Sequence, residues 1–252
     1  METKFDLKLA VIIDADNVPF KNVKGMMGEI AKYGVPTFKR IYGDWTKPTI
    51  AGWKSVLLEN AITPVQQYGY TTGKNATDSA MIIDAMDILH TGKVDGFCIV
   101  SSDSDFTRLA IRLRESGMRV FGFGERKTPR PFIVACDKFV YLEILKSSHS
   151  NEEQAKSVTL EKVEKVSILK VDTEVISLIS STVDDIADED GWAFLGDVGN
   201  LLMKKKPDFD PRNYGYEKLT PLIKSLKKEF EIDERLTERA AIKHVYIKKK
   251  KK

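Results

Sequence analysis

Two short runs are apolar almost throughout, residues 9–14 (LAVIID) and 96–101 (GFCIVS), and acidic residues close or follow each of them. Runs this short and this continuous read as strands buried on both faces, the position of central strands in a parallel sheet. Parallel neighbours need crossovers of helix length. The sequence supplies them, because further strand candidates, VPTFKRIYG from Val35, TPVQQYG from Thr63, MRVFGFG from Met118 and KFVYL from Lys138, are separated by helix-length segments. Residues 9–145 therefore predict right-handed βαβ units around a central, mostly parallel sheet of five or six strands, an α/β fold.

Residues 146–170 turn polar and charged (SSHSNEEQAKS, then EKVEKVS) and predict a linker. After Asp172 an apolar period returns in Val175, Ile179, Val183 and Ile186, which predicts a helix. A second helix is expected from Val198 to about Lys205, stopping before Pro207, and a third near Thr220 with Pro221 in its first turn. The alternating IKHVYIK predicts a strand, so this part reads as a small winged helix-turn-helix domain. The expected organisation is a first domain over residues 1–147, a linker over 148–170, a second domain over 171–248 and a lysine tail over 249–252. A chain of 252 residues that is 42% hydrophobic can fill two such cores.

Asp14, Asp16 and Asn17 follow the first buried strand, and Asp103 and Asp105 follow the fourth after Ser101 and Ser102. Ligands of open α/β sheets bind outside the carboxyl ends of the strands, where strand order reverses. Acids distant in sequence can converge there. Asp78 joins them from the first turn of an apolar helix, KNATDSAMIIDAMDIL. Carboxylates held together repel one another and lose hydration, so the cluster calls for a cation or raised pKa values. Mg²⁺ or Mn²⁺ suits such hard oxygen ligands, and metal-assisted phosphodiester hydrolysis is the chemistry they support. The same residue types also shape turns and cap helices, so a structural reading of Asp14, Asp16 and Asn17, and of Asp103 and Asp105, stays open. Asp84 and Asp87 are weaker candidates.

Other chemistries are poorly supplied. His90, His149 and His244 stand far from one another and from Cys98 and Cys136, against a zinc or histidine-based site. GYTTGKN has three residues between its glycines and Asn75 after the lysine, so it departs from a phosphate loop. A phosphotransferase with Asp-x-Asp after its first strand is the enzyme runner-up, disfavoured by Asn17 and Val18. Two cysteines suit a reducing cytoplasm, and neither a spanning helix nor a signal peptide is expected.

In these residues the chain resembles the NYN family, a branch of the PIN-like ribonucleases. The likeness is carried by IDADN, the segment from Lys74 to Asp78 with Asp84 after it, SSDSDF, VFGFGE and PFIVACDKFVYLE, in that order over about residues 9–145. It implies a PIN-like α/β/α sandwich, one or two divalent ions, and RNA hydrolysis with Asp14, Asp78 and Asp103 as metal ligands. Asp105 would assist and Asn17 would orient substrate or ligand. The second part is similar to the OST-HTH, or LOTUS, domain through GWAFLGDVGNLLMKKKPDFDPRNYGYEKLTPLIKSL, which implies a winged helix-turn-helix with an RNA-linked role.

Net charge is only +3, so contacts with RNA must be local. Lys74 and the loop with Arg126, Lys127 and Arg130 border the strand ends and are expected to meet phosphates, against the alternative of a solvated loop. Tyr42, Trp45, Tyr68 and Tyr70 could stack bases, although core packing suits each one singly. Lys204, Lys205 and Lys206 serve equally as RNA contacts or as complements of a helix dipole. The sequence thus points to a Mg²⁺- or Mn²⁺-dependent ribonuclease targeted by an RNA-binding domain. The alternatives are a noncatalytic RNA-binding adaptor and a protein-docking factor, and a protein partner for the second domain and a homodimer stay open.

Overall fold

A computed structural model describes residues 6–50, 52–68, 76–147, 168–236 and 243–250. The chain divides into two compact units, Met1–Val163 and Glu164–Lys252. Most of the expected linker, residues 148–167, lies outside the described residues.

The first unit is built on six parallel strands in the order β3-β2-β1-β4-β5-β6: β1 (Lys8–Asp14), β2 (Val35–Gly43), β3 (Thr63–Gln66), β4 (Gly96–Val100), β5 (Arg119–Gly124) and β6 (Lys138–Tyr141). Every pairing is parallel. Successive side chains of a strand point to opposite faces, and β1 shows the consequence. Leu9, Val11 and Ile13 pack with Met26 and Ile30 of α1 (Val23–Ile30), Trp53 and Leu57 of α2 (Trp53–Asn60), and Leu142 and Leu145 of α6 (Leu142–Ser147). Ala10 and Ile12 pack with Met81, Ala85 and Ile88 of α3 (Ala76–His90), Leu109 and Leu113 of α4 (Thr107–Glu115), and Phe132 of α5 (Arg130–Ala135). Two cores with a sheet between them make an α/β/α sandwich of the PIN-like kind. The apolar composition of α3 does not bury it all round: Ile83 is 63% exposed.

Gly124, which ends β5, has no room for a side chain. A Cβ there would stand 2.6 Å from both the Ser101 carbonyl and Thr128 Oγ1, so the ends of β4 and β5 meet closely just where the acids lie.

The second unit holds α7 (Thr173–Ile186), β7 (Trp192–Phe194), α8 (Leu195–Lys205), a 3-10 turn Pro211–Tyr214, α9 (Leu219–Ser225), β8 (Phe230–Leu236) and β9 (Lys243–Lys249). Asp172 caps α7 by accepting the Val175 N–H at 3.0 Å. The strands form an antiparallel sheet in the order β7-β9-β8. Val175, Ile179, Val198, Leu202, Leu222, Ile223, Phe230 and Ile247 fill the core between helices and sheet. The expected wing strand is β9; β7, only three residues long, and β8, whose alternate positions are charged, are findings of the structure.

Candidate active site

Strand order reverses between β1 and β4, so their C-terminal ends open the crevice in which sheets of this kind bind ligands. Asp14 ends β1 and is 1% exposed. Its Oδ2 accepts the Asn17 side-chain amide at 2.6 Å and the Ser101 hydroxyl at 2.8 Å, and its Oδ1 accepts the Asp16 N–H at 3.1 Å. Ser101 extends the chain of bonds, because its Oγ accepts the Asp103 N–H at 3.1 Å. Asp103 then caps the 3-10 turn Ser104–Phe106 by accepting the Asp105 N–H at 2.9 Å. One buried hydroxyl therefore ties the acidic turn after β1 to the acidic turn after β4.

Asp78 arrives from the first turn of α3. Carboxylate oxygens of Asp78, Asp103 and Asp105 lie within 4.8 Å of one another. Burial, followed by the charges of Asp14, Asp103, Asp105 and Asp16, pushes the Asp78 carboxyl up to about 6. Burial also raises Asp14, against the lowering effect of its bonds from Asn17, Ser101 and Asp16. Asp14 thus stands beside the triad rather than within it, and charge couples it to Asp78.

The donor set fits a small hard cation. Three carboxylate oxygens within 4.8 Å of one another could together hold one such ion with small side-chain adjustments. The group contains no histidine or cysteine, which is the ligand chemistry of Mg²⁺ or Mn²⁺ rather than of zinc or copper. Capping and clustering coexist here: Asp103 does the work of a turn cap with one oxygen and shares the triad.

The NYN domain family matches residues 8–143, more than half of the chain. The chain belongs to the NYN family. This is a PIN-like nuclease family, and the match covers all six parallel strands and the four acids Asp14, Asp78, Asp103 and Asp105. The OST-HTH/LOTUS domain, an RNA-binding family, matches residues 167–240. No curated protein matches the chain. Among solved structures, a protein of unknown function from Vibrio parahaemolyticus is 20% identical, aligned over 56% of this chain and 96% of its own, with a TM-score of 0.46. An uncharacterized protein of Nitrosomonas europaea is 30% identical over 40% of this chain and 93% of its own, with a TM-score of 0.31.

Around the acids of the NYN domain, the other candidates take varied places. Lys74 and Tyr70 lie outside the described residues. Arg126 donates its backbone N–H to Glu143 Oε1 at 2.9 Å and sets its guanidinium 5.7 Å from the Tyr141 ring. Its Nε and Nη2 are buried without a hydrogen-bond partner among the described residues. Lys127 pairs with Glu125 at 2.7 Å, and Arg130 opens α5. Tyr42 is fully buried and Trp45 donates Nε1–H to the Val65 carbonyl at 3.0 Å, so both serve packing, whereas Tyr68 is 55% exposed. In the OST-HTH/LOTUS unit Lys205 pairs with Asp185, and Lys206 lies 3.6 Å from Glu174.

Two arrangements were not read from the sequence. Arg40 and Tyr42 of β2 both hold Asp84 of α3, which makes Asp84 an anchor of the helix that carries Asp78. Asp44, which follows β2, accepts Thr46 Oγ1–H at 2.6 Å and Gln66 Nε2–H at 3.0 Å, joining the loop after β2 to the end of β3. Nothing in the apolar pattern marks either one, because each depends on pairings across 20 or more residues.

Proposed function

We propose that this chain is a divalent-metal-dependent ribonuclease whose NYN domain hydrolyses RNA phosphodiester bonds while the OST-HTH/LOTUS domain holds the RNA. The observation that carries the reading is the convergence of Asp78, Asp103 and Asp105 within 4.8 Å, beside the buried Asp14, at the strand-order reversal. Asp78, Asp103 and Asp105 would hold Mg²⁺ or Mn²⁺, and Asp14 completes the negative field around it. A bound ion of this class neutralises charge on the phosphate and lowers the pKa of water. Asn17 and Ser101 fix the Asp14 carboxylate, and Ser101 holds the Asp103 backbone in register with it. We take residues 1–147 and 171–248 as the two working domains, and a reducing cytoplasm as their setting, in which the buried Cys98 and Cys136 stay free thiols.

Purified protein incubated with single-stranded and hairpin RNAs should yield fragments with Mn²⁺ or Mg²⁺ and none with chelator. RNA bound but uncut under every metal condition would establish the noncatalytic adaptor instead.

A further inference from the structure

Among the described residues, one face of the second unit's sheet joins the hydrophobic core, and the aromatic residues of the other face take no part in it. Ala193, Ile247, Phe230 and Ile232 point inward. By strand alternation the opposite face carries Trp192 and Phe194 of β7, His244, Tyr246 and Lys248 of β9, and Glu231, Asp233 and Arg235 of β8, in register as Trp192–Lys248–Glu231, Phe194–Tyr246–Asp233 and His244–Arg235. The aromatic and cationic groups form one continuous surface. Arg235 lies with its guanidinium 4.1 Å from the Tyr246 ring centre and 5.5 Å from that of Trp192, held by Asp233, which accepts its Nε–H at 2.7 Å. Lys248 Nζ stands 5.7 Å from the Trp192 ring. Phe194 packs against His244 and Tyr246 with ring centres 5.1 and 5.7 Å apart. The Arg235 side chain is still 43% exposed.

We infer that this outer face is a stacking platform for unpaired bases of an RNA strand. The inference rests on the proposed RNA role of the second unit and names the surface that performs it. Flat aromatic rings and a guanidinium plane give affinity to the faces of bases, which are open in a single strand and hidden in a duplex. Charge favours the same occupant, since Arg235 and Lys248 stand among the rings of the face and Lys248 lies in register with Trp192. Lys205 and Lys206 belong to the end of α8 rather than to this sheet face, and Asp185 and Glu174 oppose them.

The test uses the full chain in chelator, so that nothing is cut, with a fluorescein-labelled oligoribonucleotide, single-stranded or as a duplex of the same sequence, read by anisotropy. Arg235→Ala and Trp192→Ala should each weaken single-strand binding by about fivefold or more and leave duplex binding within about twofold. Lys205→Ala with Lys206→Ala should cost less than Arg235→Ala. Melting curves check the folds, and Arg235→Ala decides alone if Trp192→Ala unfolds, because Arg235 lies on the outer face away from the core. Single-strand affinity unchanged in folded Arg235→Ala overturns the inference and leaves the face to a protein partner; equal losses on both RNAs overturn it too. Because binding is read without metal, its outcome is independent of whether the chain cleaves RNA.

Discussion

At the scale of single residues, the site is organised by one hydroxyl and stressed by one carboxyl. Ser101 is fully buried and donates to Asp14 while accepting from the Asp103 N–H. Ser101→Ala leaves a buried carboxylate short of a donor and a half-buried N–H short of an acceptor, at a cost of about 1–3 kcal/mol in stability. Cleavage should fall with it, measured by denaturant unfolding and by initial rates in Mn²⁺; a variant as stable and as fast as the parent would show the link to be incidental. Asp103→Asn keeps shape and cap but withdraws a charge from the cation, so cleavage should drop about a hundredfold or more with melting temperature and RNA binding little changed. Asp78 adds a pH dependence. Its carboxyl titrates near 6 in the folded state against the ordinary 3.8, so in that window the folded state binds more protons than the unfolded one. Without metal, the stabilising contribution of the protonated carboxyl is therefore present below about pH 4 and lost as pH rises through 6. The melting temperature of metal-free Asp78→Asn, minus that of the parent, should grow between those limits, whereas a constant difference would place Asp78 away from its acidic neighbours.

Among the elements, those that bury both faces were legible and those that pair at a distance were not. The runs of β1 and β4 announced central strands because neither face of such a strand can tolerate polar groups, and the acids at their ends announced the crevice. β8 (FEIDERL) hid from the pattern because its outer face carries Glu231, Asp233 and Arg235 and its inner face only Phe230 and Ile232 from the core. The hold of β2 on α3 was equally invisible, since Arg40 and Tyr42 meet Asp84 only once strand register and crossover are set. It has a measurable consequence. Tyr42→Phe removes a buried hydroxyl that donates to a carboxylate and should cost about 1.5–3 kcal/mol. Because α3 carries Asp78, cleavage should also slow beyond what lower stability explains at temperatures well below unfolding. Stability lost with the cleavage rate intact would confine the anchor to folding.

At the scale of the whole molecule, nearly balanced charge, +3 over 252 residues, argues that RNA is held by placed groups rather than by a general field. Those groups fall in two units with separate cores. Once one unit has bound a strand, the other meets the same strand at a raised effective concentration, so full-length protein should bind RNA more tightly than residues 1–147 by about tenfold or more. Lysines supply part of that gain by displacing counterions, and this part must weaken as salt rises. The stacking face supplies the rest and should persist. The measurement is the affinity ratio of the two proteins for one single-stranded RNA in chelator, from low to moderate salt. A ratio that shrinks with salt but stays above one requires both kinds of contact; a ratio of one at low salt would mean that the second unit does not engage the strand, and a ratio that falls to one would leave the lysines as its only hold.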